Sequence, residues 1–270
     1  MLFVLSPAKT LDFSPAAADL PATRPQLARE TARLLEVART LTAADLRRLM
    51  GISAALAELN VERFRAFGRR SQGPGVQAAL AFNGDVYHGL RARTLSVEDL
   101  AWAQDHLRIL SGLYGALRPL DRIQPYRLEM GVRLATPRGD SLYEFWGDRI
   151  ARALNKAAAG QADPTIVNLA SQEYFGGVAV AALKPPLLTC LFKQEHAGEV
   201  RHLAFYAKVA RGLMTRFAIQ RRAERADDLK AFDAEGYGWR ADLSDARTWV
   251  FVRPQPSAKT PRDIGQEQAE

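Results

Sequence analysis

Arginine, tyrosine and carboxylate side chains are concentrated in residues 108–138, which also hold several glycines and prolines. Arg118, Asp121, Arg127 and Glu129 fall here without the spacing of an amphipathic helix. Guanidinium groups bind phosphate or carboxylate oxygens through paired hydrogen bonds, and a carboxylate among them can orient the arginines or accept a proton. The segment is therefore interpreted either as an anion-binding cleft or as an internal network of arginines and carboxylates.

Two lysines lie next to predicted strands. Met1–Leu5 is apolar throughout and predicts a buried strand, which Ser6-Pro7 ends shortly before Lys9. Lys208 belongs to a second basic segment, after a predicted hairpin. A lysine at a strand end can bind phosphate as a point charge or act as a base when desolvated. The candidate catalytic residues are Lys9, Glu129 and Tyr206, and the candidate anion-binding residues of these segments are Lys9, Arg118, Arg127, Lys208 and Arg211.

These groups are expected to meet in one cleft, because strand ends on the same edge of an α/β sheet bring such residues together. Their composition fits acid–base chemistry on a small ligand, since a DNA backbone needs cations but not neighbouring carboxylates, amides and phenols. A third interpretation is that the polar residues only brace a long loop. The residues expected to converge are Lys9, Arg118, Arg127, Glu129 and Lys208.

Residues 46–57 are similar to the helix-hairpin-helix module of DNA-binding proteins, with leucines three apart before a Gly-hydrophobic-small turn and an alanine after it. Glycine permits the sharp turn, and backbone N–H groups at the start of the second helix can then face a phosphate. Ser53 replaces the second glycine of the pattern and is a good helix N-cap. A helix pair that only packs is the other interpretation. The residues assigned to DNA binding here are Arg47, Arg48, Gly51, Ile52 and Ser53.

Composition narrows the class of protein. The 270 residues carry 37 Lys+Arg against 30 Asp+Glu, a net charge of +7 that favours a polyanionic partner such as double-stranded DNA. One cysteine, Cys190, excludes an internal disulfide and is interpreted as a buried apolar residue. The chain lacks a long apolar run and a signal-peptide pattern, which predicts a cytoplasmic protein without a membrane partner. The four histidines lack metal-ligand spacing, so neither a metal site nor a cofactor is expected.

Interspersed helix and strand patterns predict one mixed α/β domain over residues 1–253, with the helical hairpin at 42–67 embedded in it. A disordered tail is predicted for 254–270, which is polar and rich in proline. Thr42 with Asp45 and Ser96 with Asp99 are predicted capping boxes. The remaining expectations are a strand at 107–113, an ordered loop at 114–140, a helix from 140 or 141 to about 159, a strand at 165–169, a hairpin of 187–193 with 200–206, a helix at 207–224 and a strand at 248–252.

Several longer motifs follow one another in a characteristic order: Leu5-Ser-Pro-Ala-Lys-Thr10, Phe82-Asn-Gly-Asp-Val-Tyr87, Leu110-Ser-Gly-Leu-Tyr114, Arg118-Pro-Leu-Asp121, Gln124-Pro-Tyr-Arg-Leu-Glu-Met-Gly131, Phe145-Trp-Gly147, Asn168-Leu-Ala-Ser171 and Tyr206-Ala-Lys208. In these motifs the chain resembles the YaaA family of bacterial peroxide-stress proteins from residue 1 to about 253. The resemblance implies a compact α/β fold with a basic cleft and a helix-hairpin-helix that binds double-stranded DNA. It also implies an oxidative-stress protein linked to limiting intracellular iron.

Two functions follow as hypotheses. The first is binding of double-stranded DNA without strong sequence preference, in a peroxide-stress protein that limits iron-dependent damage. The alternative is an enzyme that acts on a phosphate-bearing or nucleotide-like small molecule, a small anionic ligand, in the basic cleft. Neither a substrate nor a reaction follows from the sequence.

Overall fold

The strand formed by the first apolar residues lies inside the main sheet. A computed structural model describes residues 1–15, 20–69, 73 and 75–254. Leu2–Leu5 form β1, and all four residues are buried. A strand that is buried on both faces is typical of the parallel sheets of α/β proteins, where helices cover both sides. The predicted mixed α/β fold is confirmed.

The described residues form twelve strands and ten α-helices, joined by loops and short 3₁₀ turns. The strands are β1 Leu2–Leu5, β2 Thr10–Leu11, β3 Val76–Gln77, β4 Phe82–Asn83, β5 Leu107–Ser111, β6 Gly115–Leu117, β7 Arg122–Ile123, β8 Ile166–Asn168, β9 Leu187–His196, β10 Glu199–Arg201, β11 Gly238–Trp239 and β12 Thr248–Pro254. The helices are α1 Ala28–Ala38, α2 Ala43–Met50, α3 Ala54–Ala66, α4 Ala78–Ala81, α5 Asp85–Leu90, α6 Val97–His106, α7 Leu142–Trp146, α8 Arg149–Ala158, α9 Gln172–Phe175 and α10 Ala204–Arg221.

The main sheet has the strand order β11-β12-β9-β8-β1-β5-β6, with β10 paired to β9. Its five central strands, from β12 to β5, run parallel to one another. The flanking strands β6, β10 and β11 pair antiparallel to their neighbours. Because β1, β5 and β8 are adjacent and parallel, their carboxyl ends at Leu5, Ser111 and Asn168 lie along one edge, called here the carboxyl edge.

A single hydrophobic core joins the sheet to the helices that cover it. α10 crosses α5 so closely that a Cβ on Gly212 would lie 1.8 Å from the Val86 carbonyl oxygen. This close crossing requires glycine and holds α10 against the rest of the fold. Cys190 is buried in β9, and burial raises the pKa of its thiol to about 12, consistent with an unreactive apolar residue.

Several predicted boundaries differ from those in the structure. The helix expected from 140 or 141 to about 159 is two helices, because Gly147 has a φ of 50° and interrupts it between α7 and α8. The second strand of the predicted hairpin ends at Arg201, and α10 begins already at Ala204. The strand expected over 107–113 ends at Ser111. The loop predicted over 114–140 is largely correct, but it includes the short strands β6 and β7.

The end of the described chain is Pro254, the last residue of β12. The disordered tail is predicted for 254–270; Pro254 belongs to β12 instead, and the rest of the predicted tail lies outside the described residues. Within the described part of the chain, no helix is long and apolar enough to cross a membrane.

Candidate functional site

Hydroxyl groups connect the segments that leave the carboxyl edge. Ser6 Oγ accepts a hydrogen bond from the backbone N–H of Ser171 at 2.8 Å, and Tyr87 donates to the Ser6 carbonyl at 3.0 Å. Ser111, the last residue of β5, forms a 2.6 Å hydrogen bond with the Tyr126 hydroxyl. These bonds tie the segment after β1 to the segment after β8, and the end of β5 to the segment that carries Tyr126.

Lys9, Arg127 and Glu129, called here the Glu129 cluster, come together at this edge. Glu129 Oε1 lies 3.5 Å from Lys9 Nζ and accepts a hydrogen bond from Arg127 Nε at 3.1 Å. Glu129 is only 8% exposed, and its other oxygen, Oε2, is buried without a hydrogen-bond partner among the described residues. The cluster therefore combines two cations with one unused acceptor, and buried acceptors are normally satisfied.

A small recess lies against the Glu129 cluster. Its walls are formed by Tyr126 and Tyr174 together with Pro7, Ala8 and Leu128. The recess has a volume of about 10 Å³. That is close to the space that one water molecule or one oxygen-sized group needs. Burial raises the pKa of both Tyr126 and Tyr174 above the usual range, so both phenols remain protonated at neutral pH. The site is thus small and lined by neutral rings, and its charges belong to Lys9, Arg127 and Glu129.

Arg118 is placed elsewhere, in a pair with the fully buried Asp121. Asp121 Oδ1 accepts from Arg118 Nε and Nη2 and from the Thr23 hydroxyl, and Oδ2 accepts from the Arg118 backbone N–H. The expected convergence therefore does not include Arg118. The reason is that β6 runs antiparallel to β5 with Leu117 opposite Ile109, which carries Arg118 back from the carboxyl edge.

Three candidate residues lie on α10. Lys208 Nζ donates a hydrogen bond to Asp85 Oδ2 at 3.1 Å. Asp85 follows Gly84, which packs against Ala8. The Lys208–Asp85 pair therefore borders the segment that carries Lys9. Arg211 is largely buried, its Nε has no hydrogen-bond partner in the described part of the chain, and burial lowers the pKa of its guanidinium. The ring of Tyr206 lies 5.0 Å from the guanidinium carbon of Arg253, so Tyr206 belongs to a different polar group than the Glu129 cluster.

The residues assigned to the helical hairpin lie at the junction of α2 and α3. Gly51 ends α2 with a left-handed φ of 62°, and Ser53 caps α3 by accepting from the Leu56 N–H at 3.4 Å. Leu46 of α2 and Ala57 of α3 are fully buried, and Ile52 at the junction is 9% exposed. The predicted Thr42–Asp45 capping box is confirmed, and Arg47 and Arg48 are exposed on the last turn of α2.

Sequence reasoning did not assign roles to Tyr126 and Tyr174, the tyrosines that line the recess. Both were visible inside polar motifs, after Pro125 and after Glu173 respectively. Their shared position depends on bringing the 124–131 segment next to the segment after β8. A tyrosine in a polar turn that follows a buried strand is the local signal that would have suggested Tyr174.

A second cavity, of about 1010 Å³, opens at the opposite edge of the sheet. Its carboxylate Glu30 already contacts Arg33, Arg138 and Arg149. This cavity therefore offers volume but no unused buried acceptor among the described residues. The part of the chain that the structure describes contains no group of three His, Cys, Asp or Glu side chains that could hold a metal ion.

Comparison with known proteins shows that most of the chain matches one family. Residues 1–243 match the family model described as "Peroxide stress protein YaaA". The chain belongs to this YaaA family. A similar protein named UPF0246 protein occurs in Caulobacter vibrioides, with 59% identity over 256 residues, 95% of this chain and all of the relative. Others occur in Maricaulis maris, with 54% identity covering 96% and 98% of the two chains, and in Delftia acidovorans, with 54% identity covering 94% and 98%. YaaA family membership supports a stress-related role.

Proposed function

We propose that this YaaA family protein acts in peroxide stress by binding double-stranded DNA without strong sequence preference, and that the α2–α3 junction is the main contact. The observation that carries this proposal is the left-handed turn at Gly51, which ends α2 and exposes the start of α3. The first N–H groups of a helix have no partner inside that helix. Ser53, Ala54 and Ala55 are all exposed, so these donors can reach a phosphate oxygen.

Charge at the junction supports the same partner. Arg47 and Arg48 lie one turn before Gly51, and the Arg48 side chain is 73% exposed although it pairs with Asp45. A long, exposed arginine can exchange a surface carboxylate for a phosphate at little cost, because surface ion pairs are weak. Contacts of this kind hold the sugar-phosphate backbone and do not read bases.

The link to iron is proposed to be indirect. Binding along the DNA backbone covers the polymer that iron-dependent oxidants damage, and it needs no metal ligand from the protein. The second part of the proposal therefore depends on the first: a variant that cannot bind DNA is expected to lose protection against peroxide in cells.

Fluorescence anisotropy with two duplexes of unrelated sequence tests DNA binding. We expect both duplexes to bind with similar affinity at low salt, and the affinity to fall steeply as salt rises, because bound cations release counterions. Replacing Arg47 and Arg48 together by alanine is expected to weaken both complexes by about tenfold and to reduce the salt slope by about two.

Arg33→Ala is the matched control. Arg33 is an exposed arginine with the same three-residue spacing to a carboxylate, Glu30, but it lies on α1. We expect it to leave the affinity within about twofold of the wild type. Salt-independent binding, no binding at low salt, or equal losses in the control and the double variant would contradict the proposed contact.

A further inference from the structure

The Glu129 cluster has a chemistry that a DNA backbone does not use. An ionised carboxylate beside a phosphate site repels the negative oxygens of a phosphodiester. A buried polar oxygen without a donor is also energetically costly, and more so when it belongs to a charged group. Among the described residues Glu129 Oε2 is such an oxygen, and it lies within a cluster whose two cations are already in place. A ligand that satisfies the cluster must bring both negative charge and a hydrogen-bond donor.

Nitrogen atoms of Arg127 and Lys9 can bind the negative charge of such a ligand. Arg127 uses its Nε on Glu129, and within the described residues its two Nη atoms make no hydrogen bond. The Lys9 side chain is 62% exposed and can turn toward a ligand at the mouth of the recess. Tyr174 lines the same recess; the residue is 8% exposed, and its hydroxyl stays protonated because burial raises its pKa. Donors for several anionic oxygens therefore surround one acceptor.

We propose that the Glu129 cluster binds a phosphate monoester group in its singly protonated form. The P–OH group donates its hydrogen to Glu129 Oε2, and the charged oxygens accept hydrogen bonds from Lys9 and Arg127. A volume of about 10 Å³ against the carboxylate admits one such hydroxyl. The remaining phosphate oxygens stay at the mouth, where Lys9 is exposed.

This chemistry separates three anions of similar size. A phosphate monoester has a second pKa of about 6, so a singly protonated form is present near neutral pH. Sulfate has no proton to donate at this pH, and a phosphodiester has neither a proton nor room for its second ester group. Glu129 thus excludes the ordinary DNA backbone, and this site can fail or succeed independently of DNA binding by α2 and α3.

Calorimetric titration of the wild-type protein with inorganic phosphate and with sulfate, at pH 6 and equal ionic strength, is the first test. We expect phosphate to bind at least about tenfold more tightly, because sulfate leaves Glu129 Oε2 unsatisfied and adds repulsion. Equal affinities would reduce the cluster to a nonspecific anion site, and no binding of either anion would leave a water molecule as the partner of Oε2. Both results overturn the proposal.

The variant Glu129→Gln gives a second test, because it is expected to remove or reverse the preference for phosphate over sulfate. Because Lys9 Nζ lies 3.5 Å from Oε1 and Arg127 Nε donates a hydrogen bond to the same oxygen, the glutamine carbonyl takes that place and its NH₂ takes the place of Oε2. The acceptor becomes a donor, so we expect sulfate to bind at least as well as phosphate. Glu173→Gln is the matched control, because Glu173 is an exposed carboxylate beside Tyr174 and outside the cluster. The control is expected to retain the wild-type preference for phosphate.

The affinity of the wild-type protein for methyl phosphate, measured as a function of pH, gives a further test that needs no variant. The charged or titratable groups around the ligand are Lys9, Arg127, Glu129, Tyr126, Tyr174 and the nearby Glu173. The tyrosines stay protonated because burial raises their pKa. We expect affinity to fall between pH 6 and pH 8 as the P–OH form is lost, whereas a site made only of cations prefers the dianion. Affinity that rises over this interval would overturn the assignment.

Two sources could supply the monoester, a small molecule or the phosphorylated end of a DNA strand. Anisotropy with one duplex carrying either a 5′-phosphate or a 5′-hydroxyl distinguishes them. Tighter binding of the 5′-phosphate duplex, lost in Glu129→Gln, assigns the site to a DNA end. Equal binding of both duplexes with methyl phosphate binding retained assigns it to a small molecule. The proposal would be overturned if methyl phosphate did not bind and the 5′-phosphate duplex bound no more tightly than the 5′-hydroxyl duplex.

Discussion

Arg118 with Asp121 and Arg127 with Glu129 are two arginine–carboxylate pairs from the same stretch of chain, and they differ in how completely they are bonded. Asp121 is 0% exposed and uses both oxygens, accepting from Arg118 and Thr23. Glu129 accepts a hydrogen bond through one oxygen, and its other oxygen is buried and has no partner in the part of the chain that the structure describes. The first pair fastens the loop to the segment before α1, whereas the second presents an unused acceptor at the carboxyl edge.

The difference shows that residue type and spacing do not decide whether such a pair is structural or functional. Both segments have an arginine followed within three residues by a carboxylate. Strand direction separates them, because β6 returns along β5 and places Asp121 beside Thr23. The chain near Glu129 instead stays at the edge, where Tyr126 is held by Ser111.

The largest expected effect is on stability, from Asp121→Asn. Every oxygen of Asp121 accepts a hydrogen bond, so the asparagine NH₂ must face a donor. We expect the free energy of unfolding to fall by about 3 kcal/mol, as for a buried ion pair that loses one partner. Urea denaturation followed by circular dichroism measures it.

Glu129→Gln is the comparison for that measurement. Its NH₂ takes a position that has no partner in the described structure, so we expect a change within about 1 kcal/mol. Equal destabilisation by the two variants would show that Glu129 is structural in the same way as Asp121.

A smaller difference is expected between two conservative arginine replacements. Arg118→Lys loses two bonds to Asp121 and one from Nη2 to the Arg24 carbonyl, which lysine cannot reproduce together. We expect a loss of about 1–2 kcal/mol in the free energy of unfolding, while Arg127→Lys loses one bond and costs less than about 1 kcal/mol. Thermal denaturation of both proteins under the same conditions checks the ranking; a larger loss in Arg127→Lys would reverse the roles assigned to the pairs.

Local features of the fold could be predicted from sequence, because neighbouring residues determine them. The apolar run of β1 and the capping boxes at Thr42 and Ser96 are examples. The contact of Lys9 with Glu129 also followed from strand-end topology. The place of Arg118 could not be predicted, since the reversal of chain direction at Gly115 depends on its packing against Trp146 and Leu27. The sequence also could not predict that Glu129 Oε2 has no donor among the described residues, because only the folded chain shows which donors reach it.

The contrast between the two pairs can be measured directly by carbon NMR of the side-chain carboxyl groups. With ¹³C-labelled glutamate and aspartate, the Glu129 signal is assigned by its absence from Glu129→Gln, and the Asp121 signal by its absence from Asp121→Asn. Titration with phosphate at pH 6 is expected to shift the Glu129 signal in a saturable way and leave Asp121 unchanged, whereas sulfate at equal ionic strength shifts neither. An unmoved Glu129 signal in phosphate, or the same shift in sulfate, would contradict the claim that Glu129 Oε2 is the open acceptor of a phosphate site.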